Sequence, residues 1–442
     1  MNEAELKRLK REVCSIIAAA RDEIIALAED IFSHPELGFK ETRTAEVVAT
    51  KLAELGLDVE RGLALTGVRA VVPGREHKAR VAILGELDAV VSPGHPQADP
   101  HTGAAHACGH HGQLAAMLGA GIGLIRSGVF KELDGDVVLM AVPAEEFVEL
   151  AYRRRLMEEG KIEFFGGKQE LIKAGAFSDL DAALMVHAEA QTPERKAFIG
   201  GTCNGFIGKI VTYLGKAAHA GGAPHEGINA LNAAMLGLMA IHAQRETFRD
   251  EDSIRVHPII TKGGDLVNIV PAEVTVETYV RGRTMQAVFD ANRKVNRALK
   301  AGAYAIGAEC RIDEIPGYLP LNQHPELSEL FAANMAELIG AENVLPGPHL
   351  AGSTDIGDVS QLIPAIQPTV GGFSGLAHGK DFSVTDPDMA YIFPAQALAM
   401  TAVDLLVDGA AKARAIKASF QAPLNRESYL KMWADFRAGN KE

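Results

Sequence analysis

Cysteine is scarce. The four in 442 residues (Cys14, Cys108, Cys203 and Cys310) are too few and too scattered to staple a secreted scaffold. Basic residues are outnumbered, with 44 Lys+Arg against 57 Asp+Glu and a net charge of −13. That deficit argues against nucleic acid or an anionic membrane as partner, because both call for a positive surface field. It leaves room for a small carboxylate-bearing substrate, which one or two local arginines can hold. No apolar run approaches the roughly 20 residues that span a bilayer. The charged stretch from Met1 to Glu12 lacks the apolar centre of a secretory signal. No Gly-x-Gly-x-x-Gly or Walker-type loop follows a predicted strand, so a nucleotide-binding enzyme has no support. These absences predict a soluble cytoplasmic protein with reduced thiols.

What is present is an ordinary globular composition, 47% hydrophobic and 23% charged. At about 150 residues per domain the length predicts two or three domains. Apolar residues at helical spacing from Leu6 to Ile31 read as one amphipathic helix, and a second helical stretch runs from Thr42 to Leu55. Short apolar runs at Val81–Leu84, Val137–Val142 and Ala182–Val186 alternate with helical segments such as Leu114–Ile125. That alternation predicts an α/β fold with a mostly parallel sheet. Near residue 200 the pattern changes. Strand-like runs at Phe206–Leu214, Ile254–Thr261, Glu273–Val280 and Glu309–Ile315 interleave with helical stretches at Gly227–Ala243 and Thr284–Ile306. The order β-α-β-β-α-β is that of a ferredoxin-like α+β module. Helix and strand alternate again at Glu326–Ile339, Ile363–Val370 and Ala395–Val407. The chain therefore reads as a discontinuous catalytic domain, residues 1–203 and 317–442, with an inserted domain at 204–316.

In open parallel sheets, functional groups gather beyond the carboxyl ends of the strands. Here the three runs lead into Glu86-Leu87-Asp88, Glu145-Glu146 and His187, and His106-Ala107-Cys108-Gly109-His110-His111 stands before a predicted helix. A Cys-x-His pair, adjacent glutamates and a further histidine make a mixed S/N/O set suited to divalent transition metals. Two such ions activate a water and polarise a carbonyl, which leaves a free carboxylate to move the proton. Glu145 and Glu146 can divide that labour.

These motifs, with Val186-His187, Ala217-Ala218-His219-Ala220 and His34-Pro35-Glu36-Leu37-Gly38, resemble the di-metal peptidases of metallopeptidase family twenty. That family includes aminoacylases and carboxypeptidase G. The nearest branch cleaves auxin–amino acid conjugates and aminobenzoyl-glutamate, and Ser353-Thr354-Asp355 is similar to its aminobenzoyl-glutamate side. The resemblance implies a catalytic α/β domain interrupted by a lid that dimerises, so a homodimer or higher homo-oligomer is expected. It implies two divalent ions per subunit, Mn or Zn with Co possible, held by Cys108, His110, Glu146, His187 and His378. Cys108 would bridge them as thiolate, Glu145 would be the general base, and Asp88 would orient the ligands. In the lid, His219 would stabilise the oxyanion from the partner's side, while Asn268 and Arg281 would hold the substrate carbonyl and carboxylate.

Two departures from the branch stand out. His111 and Gln113 replace the usual Asp and His, and an enlargement at 147–167 carries Arg153-Arg154-Arg155 and Phe164-Phe165. The enlargement reads either as a pocket wall offering a cation to an acidic ring or as a solvated helix. The leading expectation is hydrolysis of the amide of an N-acyl or aminobenzoyl amino acid. A second is hydrolytic deamination of an aromatic amine such as a nitroanthranilate, releasing ammonia. A third, of another class, is a non-catalytic metal-binding protein with the same fold.

Overall fold

A computed structural model describes residues 1–439. The chain divides into two compact units. The first comprises Met1–Thr202, Asn322–His349 and Asp358–Arg426, and the second comprises Cys203–Leu321, Leu350–Gly357 and the chain from Glu427 onward. The expected single block 317–442 is thus interrupted. Within the second unit the final helix, Arg426–Gly439, sets the Phe436 ring 6.0 Å from that of Phe289, an apolar contact that the local sequence does not announce.

The first unit is built on a six-stranded sheet. Its spatial order is Val59–Leu63, Gly67–Val72, Asp136–Val142, Arg80–Glu86, Ala182–Leu184, Ala365–Ile366. The last four run parallel and the first pair forms an antiparallel edge hairpin. The two central strands are almost wholly buried, and their unbroken Val/Ala/Ile/Leu runs reflect burial on both faces. The expected first helix is two, Glu3–Ala19 and Arg21–Phe32, broken at Ala20 (ψ 9°). The apolar spacing continues through the break, so periodicity does not reveal it. Both pieces pack on helix His110–Ser127, where a Cβ at Gly123 would stand 2.5 Å from Ile17 Cγ1.

Two expected strands are also split, each by a proline that lacks the ladder N–H. Pro368 separates Ala365–Ile366 from Thr369–Val370, and the latter pairs with His187–Ala188 in a second small sheet. Pro258 separates Arg255–Val256 from Ile259–Lys262. One helical stretch, Asp388–Leu406, is long and apolar enough to cross a bilayer, contrary to the reading of the sequence; 94% of it is buried inside the protein.

The second unit orders its elements as strand Gly205–Leu214, helix Ala230–Ala243, the two short strands, strand Glu273–Gly282, helix Met285–Ile306 and strand Glu309–Pro316. Its sheet is antiparallel, with Gly205–Leu214 between Glu273–Gly282 and Glu309–Pro316. Val274, Val276 and Val280 alternate inward in the period-2 pattern of a sheet covered on one face.

Candidate metal centre

The Cys108–His110 loop, which lies against His187–Ala188, the turn after strand Asp136–Val142 and the loop bearing His378 build the centre, and each is held by specific bonds. Gly109, in left-handed backbone (φ 89°), turns the loop into helix His110–Ser127. A Cβ at this position would stand 2.5 Å from that of Ala188, so glycine alone lets the loop lie against His187–Ala188. Cys108 Sγ then sits 3.5 Å from His187 Nε2. Beyond strand Asp136–Val142, Ala144 also adopts positive φ (52°), a strained conformation for a residue with a side chain. Glu41 Oε1 accepts its N–H at 2.8 Å, and Asp88 Oδ2 accepts the N–H of Glu146 at 2.9 Å. The third segment brings His378, itself at φ 61°, whose N–H donates to Ala107 O at 2.8 Å.

The carboxyl group of Glu41 is fully buried, and burial together with the nearby Asp88 pushes it up to about 7. Arg153 is equally buried. Its guanidinium donates to the backbone oxygens of Glu146 and Phe165, between the rings of Phe39 (5.3 Å) and Phe147 (5.9 Å). The enlargement after Glu146 does carry a helix, Leu150–Glu158, whose Ala151, Arg155 and Glu158 are exposed as the solvated-helix reading expects, but it buries Leu150, Arg153 and Leu156. Arg153, Phe164 and Phe165 form the packed underside of the glutamate loop. Arg153→Met should cost about 3 kcal/mol or more, because two buried carbonyls lose a charged donor. A thermal melt reads the loss, and an unchanged midpoint would contradict it.

Among the described residues, candidate ligand atoms converge in three groups, each with all members within 4.8 Å of one another: Cys108, His110 and His187; Cys108, Glu146 and His378; and Glu86, His110 and Glu145. Cys108 belongs to the first two. Burial and the Glu146 carboxylate push its thiol up, but His187 and His110 outweigh them and bring it down to about 6. Hydrogen bonding to Cys108, reinforced by Glu146, raises His378 to about 11. His110 Nε2 and Glu146 Oε1 are buried and make no hydrogen bond. The Glu146 oxygen lies 3.2 Å from His378 Nε2 without hydrogen-bond geometry. Buried polar atoms left so are costly, and divalent cations satisfy them. The sulfur, nitrogen and carboxylate donors fit Zn²⁺, Mn²⁺ or Co²⁺.

All five expected ligands thus meet, with Glu145 beside them and Asp88 bracing both His110 and the Glu146 backbone. His219, Asn268 and Arg281 belong to the second unit. There His219 Nδ1 accepts the N–H of Gly222 at 3.0 Å, Asn268 O accepts that of Ala220 at 2.9 Å, and Arg281 donates to Ser353 Oγ at 3.0 Å. Sequence reading missed the buried, charged Glu41 and Lys168, and it named Glu86 at a strand end and Arg153 in the enlargement without foreseeing their burial. The departures at 111 and 113 are both buried. His111 lies against Phe32 (4.7 Å between ring centres) and Tyr391, and Gln113 binds Glu86.

Comparison with known proteins adds an independent line. The model of the peptidase family M20/M25/M40 matches residues 82–398. The Xaa-Arg dipeptidase of Mus musculus is 30% identical over 453 residues, covering 97% of this chain and 95% of that protein. The IAA-amino acid hydrolase ILR1-like 4 of Arabidopsis thaliana is 26% identical over 360 residues, covering 78% of this chain and 76% of its own. Among solved structures, the Bacillus subtilis YXEP protein, a dinuclear metal binding peptidase, superposes with a TM-score of 0.63 at 21% identity. That match covers 88% of this chain and 99% of the other.

Proposed function

Since the chain belongs to the M20/M25/M40 peptidase family and is a metal-dependent hydrolase acting on C–N bonds, we propose that it cleaves the amide of a small N-acyl or aminobenzoyl amino acid. The carrying observation is the pair of ligand groups that share Cys108. One thiolate common to two clusters is what a centre for two ions calls for.

In this reading Cys108, His110 and His187 hold one ion, and Cys108, Glu146 and His378 the other, with Mn²⁺ or Zn²⁺ preferred and Co²⁺ admissible. When bound, the ions give Lewis-acid activation of the substrate carbonyl and of the attacking water. Glu145 takes the proton of that water and delivers it to the departing amine. Asp88 accepts the Glu146 N–H and meets His110 Nδ1 through its backbone oxygen at 2.8 Å, which fixes the ring with Nε2 toward the cluster. Arg281 pairs with the substrate carboxylate, Asn268 with its carbonyl, and His219 of a second copy with the developing oxyanion. The exposed Met235, Leu236 and Met239 on helix Ala230–Ala243 support a homodimer formed through the second unit.

The test is a substrate panel of N-acyl amino acids, Xaa-Arg dipeptides, aminobenzoyl-glutamate and substituted anthranilates, given to the metal-loaded protein. Free amino acid from an amide is the expected product. Ammonia from an anthranilate, with every amide left intact, would overturn the proposal. Of the residues that suggested deamination, His111 packs against Phe32 and Tyr391 and Gln113 hydrogen-bonds Glu86.

A further inference from the structure

Glu86 ends the central strand and is completely buried, as are Lys168 and His110, while Gln113 is nearly so. Lys168 Nζ donates to Glu86 Oε1 at 2.5 Å, and Gln113 Nε2 donates to Oε2 at 2.7 Å. Gln113 Oε1 accepts the backbone N–H of Glu86 at 3.1 Å, so one amide grips both ends of the residue.

Glu86 Oε2 retains a lone pair, and 3.1 Å away lies His110 Nε2 without a hydrogen bond. Glu145 Oε2 lies 3.9 Å from the same nitrogen. Glu86, His110 and Glu145 each offer a ligand atom, and the three atoms lie within 4.8 Å of one another. Two buried carboxylates converging on one imidazole nitrogen form a donor set that a divalent cation satisfies.

We propose that Glu86 is a further protein ligand of the ion bound through His110, with Lys168 and Gln113 positioning it. This rests on the two-ion reading above and adds to it a carboxylate outside the five-ligand set. It also gives Lys168 a purpose. Glu86, Asp88, Glu145, Glu146 and the Cys108 thiolate carry one more negative charge than two divalent ions neutralise, and the buried ammonium balances it.

The test titrates metal-free, full-length protein with Co²⁺, reading stoichiometry and affinity by chelator competition and coordination from the visible spectrum. Wild type should bind two ions. Glu86→Gln should weaken one of them by at least about 100-fold, the upper end of what loss of an outer partner does, and shift the cobalt spectrum while the other ion stays. Two ions bound with wild-type affinity and spectrum would overturn the assignment. Should the excess positive charge of Lys168 prevent folding, the neutral pair Glu86→Gln/Lys168→Met carries the same measurement with the same two outcomes. Wild type that binds no ion would overturn both this assignment and the two-ion reading, a result visible before any variant is made.

Discussion

Glutamine at position 145 is expected to leave a folded, metal-loaded protein whose kcat has fallen by at least about 10³-fold, within the range spanned by loss of a positioned general base. The expectation follows from how the adjacent glutamates are held. Glu146 has its N–H bound by Asp88, its carbonyl by Arg153 and its carboxylate turned toward His378, which suits it to ligand rather than base. Glu145 lies beside the centre, nearly buried, with Oε2 3.9 Å from His110 Nε2. Its amide analogue keeps the shape and cannot take a proton. Metal content by mass spectrometry, alongside kcat, separates loss of the base from loss of the ions. Retained turnover would remove Glu145 from the role. Co-expression with a His219→Ala chain should restore part of the activity if each site borrows His219 from its neighbour, and no recovery would confine His219 to its own subunit.

Replacement of Cys108 by alanine should be as severe for a different reason. Cys108 is the one side chain common to both ligand groups at the cluster, so its loss weakens two ions at once. Ligand deprotonation is a cost that metal binding ordinarily bears. Here His187 and His110 have already brought the thiol to about 6, so at neutral pH the thiolate is in place. Cys108→Ala should retain fewer than two ions after dialysis against limiting metal, with activity below about 1% of wild type. A variant that keeps two ions and full turnover would refute the bridging role.

How far such a centre can be read from sequence depends on what each residue faces. Glu146 and His187 were legible because ligand chemistry coincides with the ends of apolar runs, which mark strands buried on both sides, and Cys108 and His110 because a Cys-x-His pair stands before a predicted helix. His378 was legible only by resemblance. It stands in a loop with positive φ, held by backbone bonds that leave no periodic trace. Arg153 looked like surface because charge normally signals solvent, and its burial depends on Phe39, distant in sequence. Lys168 and Glu86 are 82 positions apart, and each makes sense only once the other is known. The edge strand Val59–Leu63 escaped notice because it is mostly solvent-facing and has no alternation to detect.

Helix Phe393–Leu406 packs on helix His110–Ser127 and on strand Arg80–Glu86, closing the core over the first half of the chain. This has a consequence for biosynthesis. The ribosome releases five of the six strands and the metal loop early, but the cover for their apolar side emerges only after Cys203–Leu321, the bulk of the second unit, has been made. Until then the nascent first unit exposes core that nothing local can hide, which makes it a client for chaperones and a site of aggregation. The same delay assembles the centre late. Cys108, His110 and Glu146 wait for His378, which leaves the exit tunnel just ahead of the covering helix, so metal capture and core closure fall at nearly the same moment of synthesis.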